Sequence, residues 1–122
     1  MFEGKYGTYW IDDGILHMVY KENIIIDLKI AKKITSDRLL FQQAKEYPVF
    51  CDLSTVVDST SKARHYFVAQ GTTLMSAIAI YAGSPVAISH AEFYMRTLMH
   101  KIPTAFFTQK YQALKFLKDY CK

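Results

Sequence analysis

The 122-residue sequence has only two cysteines, Cys51 and Cys121, and they stand far apart. Two isolated cysteines do not make a disulfide framework, and neither has a partner at the spacing of a metal site. The four histidines are also isolated, without a second histidine or cysteine at helical or turn spacing. The sequence therefore predicts a reduced, cytoplasmic protein with no metal site and no cofactor.

The motifs of catalysis and of nucleotide binding are also missing. The chain has no Gly-x-Gly-x-x-Gly string, no Walker-type loop and no Gly-x-Ser-x-Gly elbow. Ser59-Thr60-Ser61-Lys62 fits the Ser-x-x-Lys string of penicillin-interacting enzymes, but those enzymes need a larger fold and further motifs. The paired carboxylates of Asp12-Asp13 precede Gly14 and are explained by turn chemistry. We therefore predict that the protein is not an enzyme.

Arginine is scarce, since Arg38, Arg64 and Arg96 are the only three and are scattered along the chain. The net charge of +4 comes largely from lysines spaced along two predicted helices, which is typical of solvated helix faces. A nucleic-acid surface would concentrate basic residues with interleaved aromatic rings, so we expect no nucleic-acid partner.

The apolar runs are shorter than the roughly 18 residues of a transmembrane helix, and the N-terminus lacks a signal pattern. We expect no membrane span.

The composition is that of a folded globular domain. Hydrophobic residues make up 51 % of the chain and charged residues 21 %, and the length supports one core but not two. With no internal repeat and no linker, residues 1–122 are predicted to form a single domain. The aromatic share is high at 15 %, and these rings either fill the core or line a pocket or an interface. Such apolar surface, with a hairpin edge, favours a homodimer.

The N-terminal third predicts a β-hairpin and a helix. Residues 8–11 and 15–20 are rich in β-branched and aromatic residues, and an Asp-Gly pair between them supplies the positive φ of a tight turn. Residues 24–26 predict a short extended piece. Asp27 follows as the N-cap of a helix from Leu28 to about Lys45.

Three strand–helix units follow. The strands are predicted over residues 49–53, 77–82 and 103–107, and each is followed by a helical pattern. These helices cover residues 62–70, which Gly71 ends, residues 90–101 after Ser89 as N-cap, and a last helix after Thr108 as N-cap. A helix has the length that a parallel crossover needs. The predicted fold class is α/β: an N-terminal β-hairpin plus helix, then three βα units giving a mixed sheet with a parallel core and flanking helices.

This order of elements resembles the STAS and anti-anti-sigma-factor fold, and in particular small stand-alone bacterial proteins of STAS/SEC14-like type. Residues 47–53, 79–85 and 103–108 carry the resemblance. In phosphorylatable STAS proteins, the serine after the aspartate of an Asp-Ser-Ser/Thr-Gly sequence is modified. The resemblance therefore implies Ser59, within Asp58-Ser59-Thr60, as a candidate phosphoacceptor, with Ser61 standing where the family has glycine.

The same polar cluster also has simpler interpretations. Ser, Thr and Asp are the preferred residues for capping a helix N-terminus, and capping alone explains their presence. In open α/β sheets, ligands bind beyond the carboxyl ends of the parallel strands, which predicts a shared rim for a partner or a small ligand. Tyr66, Phe93 and Tyr94 are expected below this rim. Its candidate residues are Asp52, Asp58, Thr60, Ser61, Arg64, His65, Tyr66, Gly83, Ser84 and Ser89.

Two functional hypotheses follow. The first is a non-catalytic regulatory or protein-binding module of STAS type that docks a protein partner through the helix after Asp58, with Ser59 as a phospho-switch. It predicts a compact core and an exposed apolar patch near Tyr66. The alternative is a SEC14-like binder of a small apolar ligand or lipid, which predicts a closed apolar cavity of several hundred Å³.

Overall fold

The computed structural model describes residues 1–121 and contains two sheets. The main sheet has six strands in the order β1-β2-β3-β5-β7-β8, and a second sheet pairs β4 with β6. Helices α1, α2 and α3 connect successive strands, and α4 follows the last strand. The elements are β1 (Phe2–Glu3), β2 (Gly7–Asp12), β3 (Ile15–Tyr20), β4 (Ile24–Ile26), α1 (Leu28–Gln42), β5 (Tyr47–Asp52), β6 (Val56–Ser59), α2 (Ser61–Gln70), β7 (Met75–Tyr81), α3 (Pro85–Leu98), β8 (Thr104–Phe107) and α4 (Lys110–Lys118).

The predicted hairpin is present. Strands β2 and β3 pair antiparallel from Gly7↔Tyr20 to Asp12↔Ile15. Both turn residues have left-handed backbone angles, with φ of 53° at Asp13 and 78° at Gly14, as a two-residue turn of this kind requires. The outer edge of β2 is covered in part by the two residues of β1, a strand that the sequence pattern did not predict.

The predicted parallel core is also present, because β3, β5, β7 and β8 are consecutive parallel neighbours. Helices α1, α2 and α3 contribute to the core on one face of the sheet, where Ile34, Ala63 and Ala91 are fully buried. Among the helices of the described part of the chain, only α4 contributes to the buried cluster of the opposite face, through Ala113 and Leu117. Burial from both sides explains why the central strands are continuous apolar runs.

Helix α1 begins as predicted and ends earlier than predicted. The backbone N–H of Ile30 donates to Asp27 Oδ1 at 2.8 Å, so Asp27 caps the helix. The helix ends at Gln42 rather than near Lys45, because Gln43 and Ala44 adopt left-handed angles with φ of 50° and 63°. Two such residues cannot continue a right-handed helix.

The predicted start of α3 is wrong by five residues. Ser84 is the N-cap, since its Oγ accepts the Ala87 N–H at 3.1 Å, and Pro85 occupies the first helical position. Proline favours that position because its φ suits a helix and no intrahelical bond is lost. Ser89 therefore lies within the helix, exposed, and does not cap it, while His90 lies in mid-helix and is buried.

The prediction of Thr108 as the cap of the last helix is also wrong. Helix α4 starts at Lys110 after Gln109, and no side chain of this N-terminus makes a capping hydrogen bond. The helix is held by burial of its apolar side instead.

The polar segment after β5 is not the loop that the sequence predicted. Residues Val56–Ser59 form strand β6, which pairs in parallel with β4, placing Ile26 opposite Ser59. This pairing joins segments that lie far apart in the chain, so no local pattern indicates it. Asp58 and Ser59 are consequently the last residues of a strand, and α2 follows almost directly.

Candidate functional site

The junction between β6 and α2 collects several of the predicted site residues. Arg64, in the first turn of α2, donates from Nη1 to the backbone oxygen of Ser59 and, at 3.1 Å, to Ser59 Oγ. Asp58 Oδ1 accepts the backbone N–H of Ser59 at 2.8 Å. The hydroxyl and both backbone groups of Ser59 are thus held by its two charged neighbours.

Capping of α2 is the task of a different residue. Thr60 Oγ1 accepts the Ala63 N–H at 3.1 Å, and the backbone of Thr60 has the extended conformation of an N-cap. On the next turn, His65 Nδ1 lies 2.7 Å from the Ser61 backbone oxygen and 3.2 Å from Ser61 Oγ. Thr60 therefore makes the cap, and the Ser59 hydroxyl takes no part in it.

Helix α3 contributes two further residues to this junction. His90 Nε2 lies 3.7 Å from Asp58 Oδ1, and the Phe93 ring lies under the Arg64 guanidinium at 5.6 Å. The His65 ring meets the same phenyl ring edge-on at 5.7 Å. The junction cluster is defined here as Asp58, Ser59, Arg64, His65, His90 and Phe93.

The sequence pattern did not identify His90 as a site residue, because the predicted helix began at His90. A signal was present, since the Ser84-Pro85 pair is a helix-start signature. From that start, Ala87, His90 and Ala91 fall on one buried face at helical spacing.

His90 is neutral more readily than an exposed histidine. Burial lowers the pKa of its imidazole, and the nearby positive charge of Arg64 lowers that pKa further. Asp58 acts in the opposite direction, but its side chain is largely exposed and its attraction is screened by water. The fixed positive charge of Arg64 therefore lies near the buried His90 imidazole and favours its neutral form.

Acidification is expected to cost this protein stability through His90. The lowered pKa means that the unfolded chain binds the extra proton first as pH falls through the ordinary range near 6.5, so the free energy of unfolding decreases there. The variant His90→Gln should lose less stability than the wild type between about pH 7.5 and pH 5.5, measured as urea midpoints. The exposed His100→Gln serves as the control, and an equal loss in both variants would contradict the assignment.

The remaining predicted rim residues take part in local turns and in the cap of α3. Asp52 is buried at the end of β5, where its Oδ1 accepts the Ser54 N–H at 2.8 Å and shapes the turn. Gly83 and Ser84 are exposed before α3, and Ser84 is used as its cap. The part of the predicted rim around β6 and α2 contains the polar contacts of the junction cluster.

The exposed apolar residues also differ from the prediction. Tyr66 is half-buried and packs against the core, so it offers no exposed patch. Instead Ile25 is 59 % exposed and Val57 is 47 % exposed, on the neighbouring strands β4 and β6. Ile25 pairs in register with Asp58, which places this apolar surface directly beside the junction cluster.

An interior cavity lies between the main sheet and helices α1, α2 and α3. Its volume is about 50 Å³, and its walls are mainly apolar with a few polar groups such as Tyr20, Cys51 and Arg38. Ligand sites usually have about 300–1,000 Å³. The cavity is therefore too small for a lipid.

Burial raises the pKa of the Cys51 thiol, in the wall of this cavity, to about 12, so this cysteine is not a reactive thiolate.

Residues 1–121 present neither an assembled metal site nor a membrane-spanning helix. Within that range, no group of three or more His, Cys, Asp and Glu side chains is arranged to hold a metal ion. None of the helices formed by these residues has the length and apolar character needed to traverse a bilayer.

The element order and sheet arrangement define a SpoIIAA-like α/β fold, the fold of STAS domains. A crystal structure of an uncharacterized protein of the DUF3478 family from Shewanella loihica PV-4, described as having a SpoIIAA-like fold, matches with a TM-score of 0.64. The match covers 96 % of this chain and 98 % of that one at 12 % identity, which shows a shared fold. The STAS-type fold that the sequence predicted is thereby confirmed.

Within this fold class the chain belongs to the family described as Domain of unknown function (DUF7793), which matches residues 9–121. No curated protein matches the chain.

Proposed function

We propose that the protein is a non-catalytic module of STAS type that docks a partner protein through the surface around β6 and α2. Phosphorylation of Ser59 would switch this docking. The observation that carries the proposal is the contact of Arg64 with the Ser59 hydroxyl, at 3.1 Å, in a position where Thr60 already caps the helix. We further propose that residues 1–122 act as one domain in the cytoplasm.

The chemistry of the junction suits a phosphate. A phosphoryl group on Ser59 Oγ would meet the Arg64 guanidinium and the positive end of the α2 dipole. It would also add about two negative charges beside Asp58, where the charges of Asp58 and Arg64 now balance. The surface would change from nearly neutral to clearly acidic.

The docking surface itself is apolar. Ile25 and Val57 are exposed on adjacent strands next to Asp58, and a partner would bury them. A new acidic charge at the border of an apolar contact weakens docking, because it must be desolvated or left beside the partner's own surface. This gives the switch its direction, with docking in the unphosphorylated form.

The alternative, a SEC14-like carrier of a small apolar ligand, is less well supported. It needs an interior volume several times larger than the cavity of about 50 Å³. A lipid that copurifies with the protein, seen by native mass spectrometry, would favour this alternative over docking.

The switch is tested by comparing captured proteins with tagged Ser59→Ala and Ser59→Glu variants in the native host. We expect Ser59→Ala to retain the partner of the wild type and Ser59→Glu to recover about tenfold less of it, by quantitative mass spectrometry. Ser36→Glu, which places the same charge on exposed α1 surface, is the control and should behave as the wild type. Equal capture by the two glutamate variants would refute the switch, and no specific capture by the wild type would refute docking.

A further inference from the structure

Strand β8 forms an edge of the main sheet, with β7 on one side only. The backbone oxygens of Pro103 and Phe107 accept N–H groups of the β7 segment at 2.9 and 3.2 Å. Successive residues of a parallel strand direct their backbone N–H and C=O groups alternately to one side of the strand and to the other. Since the backbone oxygens of Pro103 and Phe107 point toward β7, the N–H and C=O groups of Thr104 and Phe106 point away from it. Four backbone groups therefore face outward in a region where residues 1–121 provide no strand partner.

Helix α3 runs beside this edge and forms a groove with it. The groove is lined by Glu92, Met95, Arg96, Ala105 and Phe106. Glu92 and Arg96 are exposed and stand four residues apart, yet neither makes an ion pair within the described part of the chain. The groove thus combines unpaired backbone groups with two unpaired charges of opposite sign.

We propose that a second copy of this chain occupies the groove, pairing β8 with its own β8 in antiparallel orientation about a two-fold axis. Placing Thr104 opposite Phe106 of the second copy lets all four outward backbone groups of each strand form hydrogen bonds. The axis then passes beside Ala105, which faces its own copy at the close, non-hydrogen-bonded position, where Cα atoms are about 4.5 Å apart. Alanine is small enough for that approach.

The charges on α3 select a copy of the same chain over an unrelated peptide. A two-fold axis reverses the direction of the second α3, so Glu92 of each copy comes beside Arg96 of the other. The same surface of α3 therefore carries one negative and one positive charge, in the order that pairing across a two-fold axis requires. The other edge of the sheet is covered by β1, whose two residues offer far less backbone for pairing.

The interface is tested by charge reversal, with the dimer constant measured by analytical ultracentrifugation. By symmetry each single variant, Glu92→Arg or Arg96→Glu, breaks two ion pairs and creates two repulsions, so we expect dimerisation to weaken about tenfold or more. The double variant Glu92→Arg/Arg96→Glu restores both pairs and should restore the affinity. The control Lys29→Glu, an equally large charge change on exposed α1, should leave the affinity unchanged.

A cross-link tests the register. Ala105→Cys in a Cys121→Ser background should form an intermolecular disulfide on mild oxidation, and Ser54→Cys in the same background should not. A wild-type chain that remains monomeric up to about 100 µM, where even a small interface is expected to associate, overturns the proposal. A dimer that ignores both single charge reversals, or an Ala105→Cys chain that fails to cross-link, overturns it equally. The surface shares no residue with the junction cluster, so this test is independent of the Ser59 switch.

Discussion

Replacing Arg38 with alanine is expected to destabilise the fold by about 3–5 kcal/mol. Only 1 % of this side chain is exposed, and it has no carboxylate partner within residues 1–121. Its guanidinium donates to the backbone oxygens of Thr73 at 3.0 Å and Gly71 at 2.9 Å, and to the side-chain oxygen of Gln42. Alanine leaves the buried acceptors of Gly71 and Gln42 unpaired and opens a cavity.

The measurement is urea unfolding followed by circular dichroism, with Lys32→Ala as the matched control. Lys32 is an exposed cation on the same helix, so its loss should change stability by no more than about 0.5 kcal/mol. If Arg38→Ala costs no more than Lys32→Ala, the buried hydrogen bonds contribute nothing and the prediction is wrong.

A double-mutant cycle with Gln42 sharpens this prediction. Gln42 Nε2 donates to the backbone oxygens of Lys45 and Leu74, both at 2.9 Å, so Arg38 and Gln42 together hold two loops in place. We expect a coupling energy on the order of 1–2 kcal/mol between Arg38→Ala and Gln42→Ala, because the two side chains contact each other. Additive losses would show that each acts alone.

Replacing Leu117 with alanine is expected to cost about 3 kcal/mol, the second largest effect. Leu117 is fully buried and is a principal side chain by which α4 packs on its face of the main sheet. The surrounding strand residues Ala77 and Ala79 are small, so they bring the helix close and cannot expand to fill the space left behind. The loss should fall mainly on α4, since no other helix within residues 1–121 contributes to that buried cluster.

Hydrogen exchange read by mass spectrometry locates this effect. In Leu117→Ala, backbone amides of α4 should exchange faster while those of β5 and β7 stay protected, and the urea midpoint should fall. Tyr111→Ala, at a position of the same helix that is 66 % exposed, is the control and should leave both readouts nearly unchanged. Unaltered protection of α4 in Leu117→Ala would show that other contacts hold the helix.

Local sequence was enough to predict the hairpin, the Asp27 cap and the parallel core. In each case the signal is complete within a few residues. The turn at Asp13-Gly14 needs left-handed backbone angles, which this residue pair adopts readily. Asp27 caps its helix through the N–H of Ile30, three residues away. Continuous apolar runs indicate strands that are buried on both faces. The fold class followed from the order of these elements.

Elements that depend on distant partners were missed. Strand β6 exists because Ile26 and Ser59 pair across the chain, and no pattern within residues 56–59 shows that β4 is its neighbour. Arg38 illustrates the same limit, since an arginine on a helix is usually solvated, and only the loops brought to it by the fold provide its acceptors.

For the candidate site, the sequence by itself determined which residue types stand together after β5, from Asp58 to Arg64, and their resemblance to a phosphorylatable motif. Only the tertiary structure decided their roles. It made Thr60 the helix cap, placed the Arg64 guanidinium on the Ser59 hydroxyl, and brought buried His90 from α3 to Asp58. The physical reason is the distance along the chain over which each interaction acts. A cap or a turn is satisfied by residues within one helical turn. Burial and charge contacts depend on which other segments of the chain pack against a residue.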